Sequence, residues 1–170
     1  GRNGKKTCEE LYKNNRKFIL VEFNEELLIA REEVKNYQVV IGDATQDETL
    51  CEAGIEKASA LITTLPNDAE NVFITLTAKE LNPNLTIISR ASQEQSEKKL
   101  LRAGASKVIM PDAVGGTHMA QLIIKPHVIE FLELLSGEGS NELKLEEVVF
   151  DVFKEEFRGK SVKELDVRNK

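Results

Sequence analysis

The sequence predicts an α/β fold built on a doubly wound parallel sheet. Three observations predict it. Short, continuous apolar runs recur along the chain, as strands buried on both faces of a parallel sheet require. Segments with helical periodicity separate them. The alternation repeats about every 20–25 residues as far as Pro111, which is the spacing of strand–helix units.

The elements follow in order. Lys5 to Lys13 has a helical pattern with Thr7, Cys8, Leu11 and Tyr12 on one face, and Asn14-Asn15 stops it. Phe18-Ile19-Leu20-Val21 is the first apolar run, ended by Glu22. A helix over Asn24–Val34 leads to the strand Val39-Val40-Ile41, ended by Gly42-Asp43, and to a polar helix over Asp47–Ala53. Ala60–Thr63 is the next strand, after which Pro66-Asn67-Asp68 opens a helix to Leu81. Thr86–Ser89 is a strand, Glu94–Arg102 a helix stopped at Gly104, and Lys107–Met110 a strand stopped by Pro111. Beyond it, Gly115–Leu135 reads as one amphipathic helix interrupted at Pro126. Residues 1–135 thus form the first domain, 136–142 a Gly/Ser-rich linker, and 143–170 the opening of a second domain.

Composition narrows the function. The 170 residues are 41% hydrophobic and 31% charged, with a formal net charge of -6. Such a chain can build a packed core. Its acidic balance argues against nucleic acid as a partner, because phosphate backbones call for a basic face. No apolar run approaches the ~18 residues of a membrane span. Cys8 and Cys51 stand apart from any metal-ligand spacing and read as reduced cysteines.

The residues that suggest chemistry lie at strand and helix ends. Gly1-Arg2-Asn3-Gly4 matches the last four positions of G-x-G-x-x-G at the opening of a helix, where the backbone can approach a pyrophosphate. A simple loop would also account for two glycines at that spacing. Glu22 ends an apolar strand 18 residues after Gly4, where the dinucleotide fold places a carboxylate that accepts from ribose hydroxyls. A carboxylate there repels a 2′-phosphate, which disfavours NADP. Asp43, within Gly42-Asp43-Ala44-Thr45, could accept from an adenine amino group, while Thr45 could cap the next helix. Thr63–Asp68 is either a ligand-facing turn or a plain helix start. A glycine loop of this kind needs a strand before it, so the sheet's first strand is expected upstream of Gly1, in a longer polypeptide.

These segments together resemble the KTN family, also called RCK or TrkA-N: regulators of potassium conductance on prokaryotic channels and in Trk and Ktr transport systems. The matching strings are GRNG at 1–4, ILVE at 19–22, VVIGDAT at 39–45, ALITTLPND at 60–68 and LLRAGASKVIMP at 100–111. The tail LEEVVFDV…FRGKSVKEL looks like the start of the family's C-terminal subdomain. The resemblance implies a Rossmann-like sensor that binds NAD(H), ATP, ADP or AMP and forms a homodimer or larger ring on a potassium pore or transporter membrane subunit. By position, Gly1, Arg2, Asn3 and Gly4 would cradle phosphates, with Arg2 adding a direct contact. Glu22 would hold the ribose. Asp43, Ala44 and Thr45 would surround adenine, and Thr64 would lie near the ribose-phosphate. The implied location is the cytoplasmic face of the membrane. The Pro111–Ala120 stretch is closer to the channel-attached version. Calcium-gated members carry carboxylates where this chain has Ser89-Arg90-Ala91-Ser92, and a cation cannot ligate calcium.

Two other readings remain. An NAD-dependent oxidoreductase fragment shares the crevice but needs a proton-transfer group, and His118 and His127 are the chain's two histidines. A nucleotide-free dimerisation module would use the apolar helix 115–135, whose side chains could equally pack on the parent sheet.

Overall fold

The computed structural model describes residues 1–29 and 32–136. The linker from 137 onward and the 143–170 segment lie outside the described residues. The elements are α1 (Arg2–Lys13), β1 (Ile19–Glu22), α2 (Glu25–Ile29), β2 (Gln38–Ile41), α3 (Asp47–Glu52), β3 (Ala60–Thr63), α4 (Asp68–Leu81), β4 (Thr86–Arg90), α5 (Glu94–Arg102), β5 (Lys107–Ile109), α6 (Pro111–Ile124) and α7 (Pro126–Ser136). Strand and helix alternate as expected, and every strand pairing is parallel.

The pairing forms two ladders. β1 runs beside β2, with Ile19 opposite Gln38 and Glu22 opposite Ile41. β3, β4 and β5 form a second sheet in that order. The expectation that these strands are buried on both faces holds best for β4. Among the described residues it is the one strand with two neighbours; Ile87 and Ser89 fully bury one of its faces, and Ile88 and Arg90 leave the other half-buried. Ile19, Ile41, Ile62 and Ile109 remain exposed; among the described residues β1, β2, β3 and β5 each pair with one neighbour.

The core sits where the second sheet meets its helices. Leu50, Ile55, Ile74, Ala78, Leu85, Ile87, Leu100 and Ala105 form one buried cluster. Burial of such aliphatic side chains contributes roughly 1.5–3 kcal/mol each. Across β3 and β4 the hydroxyls of Thr63 and Ser89, opposite each other in register, share a buried 2.6 Å hydrogen bond.

Helix ends follow local chemistry. Asn67 caps α4 by accepting from the Ala69 N–H at 2.9 Å. The Asp68 carboxylate reaches across to the N–H groups of Ser92 and Gln93, at 2.9–3.2 Å, just before α5. Burial works to raise the Asp68 pKa, but hydrogen bonds from Ser96, Ser92 and Gln93 outweigh it and hold the group below its usual range. Gly104, at φ +107°, ends α5: Ala105 N–H bonds Leu100 O and Gly104 N–H bonds Leu101 O. That is a Schellman ending, which needs a left-handed residue.

Three expected boundaries shift by three residues or more. α1 begins at Arg2 instead of Lys5. α2 ends at Ile29, and a separate 3-10 turn spans Glu32–Asn36. α6 begins at Pro111, because proline suits a helix's first position and its missing N–H costs nothing there. Gly115 and Gly116 are therefore helical, and the break expected at Pro126 separates α6 from α7.

Most described apolar side chains of α6 and α7 are exposed, while Ile129 of α7 is buried. No residue of α6 is buried, and Val114, Met119, Leu122, Ile123 and Ile124 are all exposed. Val128, Phe131 and Leu132 of α7 are exposed as well. Among the described residues no helix is long and apolar enough to cross a membrane.

Candidate functional site

The C-terminal ends of β1, β2 and β3 and the start of α1 enclose one cavity of about 580 Å³. That volume lies within the range of small-molecule and cofactor sites. Ligands of open parallel sheets bind at this end of the strands.

α1 contributes Gly1, Gly4, Lys5, Cys8 and Glu9 to the wall. Steps of three and four residues place them on one helix face. Gly1 stands at the N-cap with no side-chain cap bond. The first intrahelical bond runs from Lys5 N–H to Gly1 O at 3.0 Å. The N–H groups of Arg2, Asn3 and Gly4 therefore belong to the turn that lacks intrahelical acceptors, at the positive end of the helix dipole. Arg2 and Asn3 do not line the cavity. Because the helix starts one turn earlier than expected, those two side chains fall on other faces of α1; Arg2 is exposed.

Gly4 fits by the absence of a side chain. A Cβ on it would lie 2.8 Å from the Thr64 hydroxyl oxygen. Thr64 follows β3 directly, so the helix start and the end of the second sheet meet at these two residues. A Cβ on Gly42 would lie 2.8 Å from Thr49 Oγ1, so α3 packs equally close to the end of β2.

Glu22 ends β1 and lines the cavity. Its Oε1 accepts from the N–H groups of Phe23 and Asn24, at 3.1 and 3.2 Å. Both bonds fall on one oxygen, which orients the carboxylate and leaves Oε2 for a ligand. Asp43 Oδ1 accepts from Thr45 N–H at 2.9 Å and from Thr45 Oγ1 at 2.7 Å. The Thr45 side-chain bond, then its backbone bond, hold the Asp43 pKa below the usual carboxylate range. Thr45 is thus spent on Asp43 instead of capping α3, whose N-cap is Gln46. Asp43, Ala44, Thr45 and Thr64 all line the cavity.

The loop after β3 is held from behind. Fully buried Asn71 accepts the Leu65 N–H at 3.2 Å and donates to Leu65 O at 2.9 Å and Arg90 O at 3.1 Å. Arg90 Nη1 also donates to Leu65 O, at 2.9 Å, while its buried Nε has no partner. Arg90, read as the residue that displaces calcium ligands, is therefore a prop for the 64–66 turn. Among the described residues no cluster of His, Cys, Asp and Glu could hold a metal ion.

Several wall residues were not legible in advance. Phe23, Leu27, Leu28, Val34 and Tyr37 supply the apolar side beside β1 and β2. Tyr37 is braced by Phe18 and Tyr12, with ring centroids 4.9 and 5.5 Å away. Cys8 is buried against the cavity, and burial pushes its thiol pKa up. Its position one turn after Gly4 was the available signal.

A family model described as the TrkA-N domain matches residues 1–111. Potassium channel protein 1 of Methanocaldococcus jannaschii is 40% identical over 172 residues, covering all of this chain and 50% of that protein. Probable potassium channel protein 2 of the same organism is 38% identical over 178 residues, covering all of this chain and 51% of that protein. The chain thus spans about half the length of these relatives. Among solved structures, the TrkA-N domain of Escherichia coli inner membrane protein ybaL superposes with a TM-score of 0.67 at 28% identity, over 72% of this chain and 90% of that one. GsuK bound to ADP gives 0.63 at 34% identity, over 72% and 31%. The GsuK channel bound to NAD gives 0.54 at 27% identity, over 59% and 18%.

Proposed function

This chain belongs to the TrkA-N domain family, and we propose that it senses an adenine nucleotide and gates potassium flux through a membrane pore. The observation that carries the proposal is the cavity where the α1 N-terminus, Glu22, Asp43 and Thr64 converge. The first-turn N–H groups of α1 are suited to phosphate oxygens. Glu22 Oε2 is suited to ribose hydroxyls and Asp43 Oδ2 to an adenine amino group. ADP- and NAD-bound GsuK support this ligand class.

The two Methanocaldococcus jannaschii relatives favour a channel over a transporter. We place the domain at the cytoplasmic face of the membrane, paired as a homodimer or larger ring through the exposed apolar residues of α6 and α7. We assign it a sensing role without turnover. Consumption of NADH with a carbonyl substrate would contradict that assignment.

Calorimetry on the full-length protein with ATP, ADP, AMP, NAD+ and NADH tests the ligand. At least one should bind, and Glu22→Ala should weaken it more than tenfold, about 1.4 kcal/mol, since a hydrogen bond to a charged group is worth roughly 1.5–3 kcal/mol. Unchanged affinity in the variant would exclude this pose.

A further inference from the structure

We propose that Glu70 selects the ligand by charge, favouring NAD+ over ATP; the proposal rests on the nucleotide reading above and names which member of that class the cavity takes. Glu70 lies in the first turn of α4, is half-buried and lines the cavity. The Asn67 side chain that caps α4 also holds it: Asn67 Nδ2 donates to Glu70 Oε1 at 3.2 Å. The ribose, adenine and phosphate contacts assigned above do not use this carboxylate, so its charge acts on whatever else the ligand carries.

The wall is acidic. Among the described residues it carries four carboxylates, Glu9, Glu22, Asp43 and Glu70, against one cationic side chain, Lys5, which is paired with Glu9 at 3.6 Å. The two helix starts that reach the cavity differ in the same sense. α1 has no acidic residue in its first turn, so no carboxylate there opposes a phosphate. α4 has Asp68 and Glu70 in its first turn, and Asn67 takes the Ala69 N–H. Glu70 follows the Thr64–Pro66 turn, and that turn meets α1 at Gly4. Glu22 and Asp43 stand at the ends of strands in the other sheet. A nucleotide held by Glu22, Asp43 and the α1 N–H groups therefore directs whatever lies beyond its second phosphate toward Thr64 and α4. In ATP that is a third phosphate, which Glu70 repels. In NAD+ it is a ribose, whose hydroxyls donate to a carboxylate, and a cationic nicotinamide ring, which a carboxylate attracts.

The test is calorimetry on the full-length protein with NAD+, ATP and AMP, in the absence of divalent cations. Wild type should bind NAD+ more tightly than ATP. Glu70→Gln removes the charge and keeps an acceptor for Asn67. It should lower the ratio of NAD+ to ATP affinity about tenfold, the size of one charge–charge interaction at a partly solvated site. Glu70→Asp, which keeps the charge, should retain most of the preference. AMP, with nothing beyond its first phosphate, should bind wild type and Glu70→Gln alike. If NAD+ and AMP bind and Glu22→Ala weakens both, but wild type prefers ATP or Glu70→Gln leaves the ratio unchanged, the charge-selection proposal is overturned and the nucleotide reading stands. If wild type binds no adenine nucleotide, both fall.

Discussion

Gly4→Ala is expected to weaken adenine-nucleotide binding about tenfold or more, although alanine is the better helix former. Within a helix, alanine is favoured over glycine by about 1 kcal/mol, and Gly4 lies in the first turn of α1. Local propensity therefore predicts a harmless or stabilising change. The added Cβ, however, would meet the Thr64 hydroxyl oxygen at 2.8 Å. A threonine side chain is stiff at χ1, and the Thr64 backbone is tied to a turn that Asn71 and Arg90 hold from behind. Relief requires the α1 N-terminus to back away from the end of β3, and overpacking of this kind costs about 1–3 kcal/mol. The shift moves the N–H groups assigned to the phosphates, so the cost falls on binding. Thr64→Ala removes the oxygen and leaves only the Thr64 Cβ, 3.8 Å away. The double variant should then bind within about threefold of Thr64→Ala alone, a coupling of the size contacting residues show. Simple addition of the two losses by calorimetry would refute the contact as the cause.

Asn71→Leu is expected to cause the largest loss of stability, about 3 kcal/mol. Leucine is close in size, so cavity formation is a minor part of the change. The loss comes from polar groups. The side chain of Asn71 satisfies both the N–H and the O of Leu65 and also the O of Arg90, and it is fully buried. After substitution the Leu65 N–H and the Arg90 carbonyl lose that partner, while Leu65 O keeps Arg90 Nη1. A buried group left unpaired costs about 1–3 kcal/mol. For a chain of this size a loss of 3 kcal/mol lowers Tm by about 10 °C. Nucleotide affinity should fall with it, because the 64–66 turn loses its support. Asn71→Asp should fare no better: it keeps the acceptor but sets a carboxylate against two carbonyl oxygens. A thermal melt within about 2 °C of wild type would show that this network does not hold the turn.

The second half of the domain was the more legible in sequence. β3 and α5 lie where their patterns place them, and α4 starts at its Asn67 cap. Each has a local signal: a short β-branched run, a side-chain cap, a glycine with positive φ. The α1 start was misread because Asn3 and Gly4 are poor helix formers; the close approach of α1 to Thr64 is a tertiary demand that no local pattern carries. Pro111 was read as the end of β5, yet it serves as the opening of α6. Within the site, Glu22, Asp43 and Thr64 could be read from their places at strand ends. Asn71 could not, since an asparagine inside a helix gives no sign of pairing with a turn six residues earlier in the chain. Phe23 could not either, because its place in the cavity depends on a wall assembled from β1, α2 and β2.

The measurement that most directly tests nucleotide control of the pore is potassium flux through the full-length protein in liposomes, titrated with ADP, ATP, NAD+ and NADH. A ligand shifts gating only through its different affinity for two conformations. Couplings of roughly 1–3 kcal/mol change the open–closed ratio about 5–150-fold. At least one of these nucleotides should change the flux by such a factor, and Glu22→Ala should move the response to more than tenfold higher concentration without altering flux in its absence. Flux that is the same with every nucleotide, in a protein that binds at least one of them by calorimetry, would contradict the account and leave the domain an assembly platform.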